Sequence, residues 1–484
     1  MKLLIRPAPE ITIKSKPVRR SQMRQLRQNV RKLLREFDHG IRVDGSWDRV
    51  EVTLPADSEL AEPVLDALKR IPGISTIQEI GEFPLQDIAD IASQALAASA
   101  GTLEDRSFAV RVRRHGLHDF RSGDVARQVG TVLLEQGGAR CVDLRQPDIT
   151  VRIEIQQDHY HIALSRHRGL GGYPLGSVES VMTLISGGYD SSVAAWLMMR
   201  RGIRSHFLFF NLGGANHEDG VRQVVHYLWS RYGASHSAKF ISVPFDGVVA
   251  EIMQSVGHRH WGVVLKRQML KAAEEIGQRN NVAGLVTGDA VAQVSSQTLT
   301  NLSVVDRACD QVVLRPLVSM DKEEIIRIAR EIGTEPFARN MPEYCGVISQ
   351  RPATRAKLRN VELDESRMDP AALAQALESR TECHVDQLLD KRAAPEEVEM
   401  VTTPVKGDVI IDLRHPTEGD RTPLCLSNND IVRIPFYELS SGFAALPPAR
   451  RFLLYCDRGT MSRIQAGQLQ AEGHTNISVY APVH

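Results

Sequence analysis

The chain has 484 residues, 42% hydrophobic and 24% charged, which at roughly 150 residues per domain suggests about three domains with ordinary buried cores. Its 59 basic and 59 acidic side chains cancel, so any nucleic-acid surface must be local. Six scattered cysteines without a C-x-x-C pair exclude a zinc ribbon or secreted disulfide framework; no resident metal site is expected. The N-terminus is broken by charge and proline too early for a signal peptide, and no run of about 18 apolar residues occurs. A cytoplasmic location without a membrane partner is therefore expected.

In chain order, LLIRPAPEITIK reads as a strand, and the spacing of Leu26, Val30, Leu33 and Leu34 predicts a helix from about Ser21 to Phe37. The helix and its approach are basic through Arg19, Arg20, Arg24, Arg27, Arg31, Lys32 and Arg35. A strand in SWDRVEVTLP, a helix around Leu60 to Ile71 and a strand in ISTIQEIGEF complete a small α+β unit on an antiparallel sheet. A second unit follows, with a helix from Leu85 to Ala98, a strand FAVRVRRHG, a helix after Ser122, and strands near Asp148–Ile155 and His159–Ser165. Along FAVRVRR, Phe108, Val110 and Val112 alternate with Ala109, Arg111 and Arg113, so arginines share a face.

Next, VMTLIS, IRSHFLFFNL, AKFISVPF and VAGLVTGD alternate with helical patterns, the signature of a doubly wound parallel sheet. From about Asp364 to Met400 the chain is acidic and weakly helical, and reads as a linker. The last part carries the strands VIIDLRHP and RFLLYC, the second running into a glycine-containing turn and a helix.

Two loops carry chemistry. In Leu184-Ile185-Ser186-Gly187-Gly188-Tyr189-Asp190-Ser191-Ser192 a buried strand ends in Ser-Gly-Gly and a helix begins at about Ser191. Glycines let the backbone approach a ligand, and the N–H groups of a helix start favour an anion. A simple helix cap by Asp190 or Ser191 is the alternative. The motif is neither the common P-loop nor G-x-G-x-x-G. Further polar clusters are Leu265-Lys266-Arg267, Thr287-Gly288-Asp289, Gln293 to Asn301, and Pro316 to Lys322.

In the second loop, Tyr455-Cys456-Asp457-Arg458-Gly459-Thr460-Met461-Ser462-Arg463, a strand ends on a cysteine and a helix starts near Ser462. The helix start, with Arg458 or Arg463, favours a thiolate, and the backbone around Gly459 could cradle a persulfide. A merely packed cysteine is the alternative. Cys345, in Pro342-Glu343-Tyr344-Cys345-Gly346, is by itself equally compatible with a structural role.

SGG-[aromatic]-DS after an apolar strand resembles the PP-loop of the ATP pyrophosphatases, with Tyr189 in place of the more usual Phe. The cysteine loop with VIIDLR resembles a rhodanese domain, although Asp457 stands where those loops usually have arginine. Together with ITIKS, DALKRIPGI, FFNLGGANHE, VSSQTLTNL and MPEYCGVIS, these motifs resemble, over the whole chain, the bacterial tRNA 4-thiouridine synthases that also act in thiamine biosynthesis.

The resemblance implies a ferredoxin-like domain at 1–75, a THUMP RNA-binding domain at 76–170, a PP-loop adenylation domain at 175–365, an acidic linker at 366–403 and a rhodanese domain at 404–484. It implies ATP contacts by Leu184, Ile185, Ser186, Gly187, Gly188, Asp190, Ser191, Lys266, Gly288 and Gln297, with Asp190 and Lys322 essential. Cys456 would carry a persulfide and Cys345 would be its disulfide partner. Magnesium would accompany ATP, and no bound pyridoxal phosphate is expected.

The expected product is 4-thiouridine at position eight of tRNA, made by adenylating the C4 oxygen. Expected partners are tRNA, a cysteine desulfurase, a reductant for the disulfide and a sulfur-carrier protein of thiamine synthesis; a homodimer is left open. Arg24, Arg27, Arg31, Arg111, Arg113 and Arg114 are the candidate tRNA contacts. The rival readings are a PP-loop ligase for a small molecule and a sulfur relay for thiamine alone.

Overall fold

Proline decides the first departure from those expectations. In the computed structural model, which describes residues 1–55, 60–212, 214–339, 341, 352–389, 398–414, 419–420, 422–435, 439–443, 446–447, 450–456, 460–471 and 473–482, the first strand ends at Pro7. Pro9 then opens a short helix, Pro9–Thr12. A proline ring suits the first helical turn and withholds the N–H that a ladder would need, so the β-branched EITIK does not continue the strand. The next helix starts earlier than its apolar spacing suggests, spanning Lys16–Leu34 and burying Met23, Leu26, Val30 and Leu34 at three- and four-residue intervals.

The chain divides into two compact units, residues 1–177 with 200–202, and residues 178–199 with 203–484. The first is built on one eight-stranded sheet. Its spatial order is Arg42–Gly45, Val50–Thr53, Lys2–Pro7, Ile74–Pro84, His159–Arg168, Ile149–Ile155, Ser107–Arg114 and Cys141–Val142. Ile74–Pro84 pairs antiparallel with Lys2–Pro7 on one side and with His159–Arg168 on the other, so the sheet runs unbroken past residue 75. Two cores flank it in sequence. One gathers Leu3, Ile5, Leu26, Val52, Leu68 and Ile77, the other Ile91, Phe108, Val129, Ile153 and Tyr160. Each such side chain, fully buried, contributes roughly 1.5–3 kcal/mol.

In the second unit a six-stranded sheet runs Val312–Leu314, Gly284–Val286, Val178–Leu184, Ile203–Asn211, Lys239–Pro244, Thr381–His384. The first five are mutually parallel and the last is antiparallel to its neighbour. From Val178–Leu184 the chain winds outward through two strands, then crosses back to Gly284–Val286 on the opposite side. The strand order therefore reverses beside Val178–Leu184, the point at which such sheets open a crevice for ligands.

The acidic stretch differs from a linker over much of its length. Pro370–Glu378 is a helix capped by the Asp369 carboxylate, with Ala376 and Leu377 buried, and Thr381–His384 extends the sheet. The weak helical pattern was visible in the sequence; that its apolar side is buried was not, because the composition is acidic. Residues 390–397 lie outside the described residues.

A third sheet, wholly parallel, runs Met400–Val401, Ile477–Tyr480, Phe452–Tyr455, Val409–Asp412, Asp430–Arg433. Its central strands are covered on both faces, with Val409, Ile411 and Leu454 on one side and Ile410, Leu453 and Tyr455 on the other. That two-sided burial explains their near-continuous apolar runs. Among the described residues no helix is long and apolar enough to cross a membrane.

Candidate nucleotide site and cysteine loop

Val178–Leu184 delivers the glycine–serine loop to the crevice. Ile185 is buried, and its N–H donates to the Leu208 carbonyl at 2.9 Å. The helix Tyr189–Arg200 follows, and its first-turn N–H groups have no partner within the helix. The Ser186 amide donates to Ser191 Oγ at 3.1 Å, and the Ser192 hydroxyl to the Gly188 carbonyl at 2.9 Å. Small polar side chains thus tie the loop to its own helix.

Gly187 has φ +81°, and a Cβ there would fall 2.5 Å from Met341 Cε. Met341 stands four positions before Cys345. Across the crevice, a Cβ on Gly288 would lie 2.8 Å from the backbone of both Asp190 and Ser191. Only glycine permits that approach.

Two carboxylates hold the cations of the site. Asp190 accepts from the Lys322 ammonium at 2.9 and 3.0 Å and from Gln293 Nε2 at 3.0 Å. Lys322 opens the helix Lys322–Ile332, whose start Asp321 caps through the Glu324 amide. Asp289, only 6% exposed, pairs with Lys266. It also accepts from Thr287 Oγ1 at 2.8 Å, Gln297 Nε2 at 3.0 Å and Arg315 Nε at 3.4 Å.

Burial alone would raise the Asp289 carboxyl. The Lys266 charge and the hydrogen bonds from Lys266, Thr287 and Gln297 outweigh it and hold the group at about 2. Among the described residues Gln297 Oε1 is buried without a partner, an acceptor left over beside Asp289.

Leu184, Ile185, Ser186, Gly187, Gly188, Asp190 and Ser191 therefore share one loop. Gly288, Lys266, Gln297 and Lys322 reach it or its neighbouring strand end from four later segments. Sequence reasoning missed Asp289, Gln293 and Arg315 as site residues. The first two lie within the polar runs after strands, which is the signal that could have found them; Arg315 had none beyond its place before Pro316.

Cys456 directly follows Phe452–Tyr455, half-buried. The Ser462 amide, in the first turn of Thr460–Ala471, donates to Sγ at 3.4 Å, and the Ser462 hydroxyl lies 3.5 Å from the sulfur. Just past the neighbouring strand, Arg414 donates to Asp412 from its amide (3.1 Å to Oδ1), from Nε (2.9 Å to Oδ1) and from Nη2 (2.8 Å to Oδ2), and its guanidinium lies 5.0 Å from the Tyr455 ring centre. Both members of that pair are buried. Arg463 is exposed; Arg458, Gly459 and Cys345 lie outside the described residues.

The basic candidates separate. Arg24 is exposed, but Arg27 and Arg31 donate at 2.7 Å to the carbonyls of Gly45 and Val43, which turns them toward the strand Arg42–Gly45. Arg114 donates to the His118 carbonyl at 3.2 Å. Arg111 and Arg113 line a concavity of about 320 Å³ on the eight-stranded sheet, with Arg6, Arg152 and Arg166. Burial lowers the Arg152 pKa, and the charges of Arg166, Arg113 and Arg111 lower it further. That crowding marks a surface with positive charge in excess. Arg6, Arg152 and Arg166 escaped notice because they come from three other strands.

A parallel sheet with this loop at its reversal point defines a class, the PP-loop α/β enzymes. Residues 176–369 match the family described as thiamine biosynthesis protein (ThiI), 85–165 match the THUMP domain, and 2–77 match the ThiI ferredoxin-like domain. A tRNA sulfurtransferase of Marinobacter nauticus is 70% identical over 100% of both chains, and one of Pseudomonas syringae pv. tomato 47% identical over 100% of both. This chain belongs to the tRNA sulfurtransferase family, as its motifs imply. A solved 4-thiouridine synthetase–RNA complex with bound ATP resembles it with a TM-score of 0.70 at 25% identity, covering 79% of this chain and 99% of that one.

Proposed function

We propose that this protein is an ATP-dependent tRNA sulfurtransferase that converts the uridine at position eight of tRNA to 4-thiouridine. The observation that carries the proposal is the crevice built by the Ser186–Ser192 loop, with Gly288 against its backbone and Lys266 and Lys322 held on carboxylates around it. Such a site suits a polyphosphate: backbone N–H groups and hydroxyls meet the oxygens, and lysines neutralise charge that builds on a leaving pyrophosphate. Asp190 would be the carboxylate to meet a magnesium ion arriving with the nucleotide. The solved relative with ATP and RNA supports the same choice of ligands.

Uridine O4 attacks the α-phosphorus of ATP, N3 loses its proton and pyrophosphate leaves, which turns O4 into part of a good leaving group. The outer sulfur of a Cys456 persulfide, loaded by a cysteine desulfurase, then attacks C4 and expels AMP. The Cys345 thiolate attacks Cys456 Sγ and breaks the S–S bond to the transferred sulfur, releasing 4-thiouridine. Two thiols have then become a Cys345–Cys456 disulfide, which a cellular reductant reopens, as befits a catalytic disulfide. The Ser462 amide and helix start at Cys456 support persulfide carriage on a rhodanese-like loop. The same persulfide would serve a sulfur-carrier protein for the thiazole of thiamine. The arginine concavity supports RNA over a small-molecule substrate, because phosphates dominate contacts of that kind.

The test is mass spectrometry of tRNA from cells lacking this protein, complemented with wild type, Cys456→Ala or Asp190→Ala. Only wild type should restore 4-thiouridine. Restoration by Cys456→Ala would remove the carrier role, and restoration by Asp190→Ala would remove the adenylation site.

A further inference from the structure

Away from both loops, two histidines and a carboxylate converge on the eight-stranded sheet. His159 and His161 stand two apart on the strand His159–Arg168 and therefore share a face. Glu82 is the direct cross-strand neighbour of His161. One donor atom from each of the three lies within 4.8 Å of the others. We propose that Glu82, His159 and His161 form a site for a single transition-metal dication of the zinc type, clamping Ile74–Pro84 to His159–Arg168.

The donor set is the first argument. Two imidazoles and one carboxylate suit zinc, cobalt or nickel and not magnesium or calcium, which want oxygen. His161 Nε2 already sits 3.2 Å from Glu82 Oε2, close to the spacing of two ligands on one ion. Asp158 Oδ1 lies 2.7 Å from His159 Nδ1, so an Nδ1–H donor fixes the ring with Nε2 as the free lone pair. That is the carboxylate–histidine support usual behind metal-bound imidazoles.

Charge gives the second argument. Glu82 pairs with Lys2, whose ammonium also lies 3.4 Å from Glu51. Arg49 also pairs with Glu51, at 2.8 Å, so with Asp158 three carboxylates meet two cations and leave a net negative charge that favours a bound cation. A metal taking Glu82 leaves Lys2 on Glu51. Spacing along the chain conceals the trio, because Glu82 precedes the histidines by most of the THUMP match.

Metal-free full-length protein titrated with Co²⁺ tests the proposal by absorption, since a histidine–carboxylate site gives d–d bands without the thiolate charge-transfer band that Cys456 or Cys345 would add. Wild type should bind one equivalent. His159→Gln and Glu82→Gln should each weaken binding at least about 10-fold, and Asp158→Asn roughly 10- to 100-fold, with melting in the absence of metal unchanged. Equal titrations of wild type and His159→Gln would overturn the site, as would a Co²⁺ signal carried by thiolate alone. If His159→Gln melts early, Glu82→Gln, altered at an exposed side chain, decides between the same two outcomes.

Discussion

Replacing Asp289 with asparagine removes one buried charge at nearly constant volume and turns an acceptor on Lys266 and Arg315 into a partial donor. A carboxyl held at about 2 in place of its ordinary 3.8 contributes about 2 kcal/mol at neutral pH, at roughly 1.4 kcal/mol per tenfold change in acidity. The sign follows from the direction: a depressed carboxyl stabilises the fold above pH 3.8 and loses that contribution as pH falls toward 2. Asp289→Asn should therefore lower the stability of its unit at pH 7 by about 2 kcal/mol, roughly 3 °C in Tm for a unit of about 300 residues. The KM for ATP should also rise, because Lys266 loses its anchor. Urea unfolding of wild type and variant from pH 7 down to pH 3 measures the effect, and the gap between the two should narrow below pH 4. An unchanged midpoint at pH 7, or a deficit equally large at pH 3, would refute the reasoning.

Other substitutions probe separate parts. Gly288→Ala places a methyl 2.8 Å from the Asp190 and Ser191 backbone; single-turnover AMP release should fall roughly 10²-fold, as for an ångström-scale misplacement of reacting groups. Lys322→Gln leaves Asp190 with Gln293 as its remaining described partner, and kcat should drop about 10²- to 10³-fold, the scale for removing one electrostatic stabiliser. Arg113→Gln changes an exposed side chain of the arginine concavity. tRNA binding should weaken, and the slope of log affinity against log salt should flatten by roughly 0.9 for one phosphate no longer neutralised; an unchanged slope places the RNA elsewhere.

Local chemistry was readable in the sequence wherever a few adjacent residues carried it. Ser186-Gly187-Gly188 announces its loop because close approach needs glycine, and Cys456 announces its own because the strand and helix that aim at it flank it directly. Long-range convergence was readable only through the family resemblance. Lys322 reaches Asp190 across 132 residues, and nothing in the spacing of either says so. Asp289 looked like an ordinary loop aspartate; what distinguishes it is burial under Lys266, Gln297 and Arg315, which no local pattern encodes. Composition misled at the acidic stretch: its weak helical pattern was visible, but not that the helix Pro370–Glu378 packs and the strand Thr381–His384 extends the sheet.

Isotope transfer reaches the central claim most directly. Purified protein, loaded with persulfide and given ATP and tRNA carrying ¹⁸O at C4 of the target uridine, should release AMP containing one ¹⁸O for each 4-thiouridine formed, because O4 becomes a phosphate oxygen. Unlabelled AMP, or ADP and phosphate as products, would contradict attack of that oxygen on the nucleotide held by the Ser186–Ser192 loop.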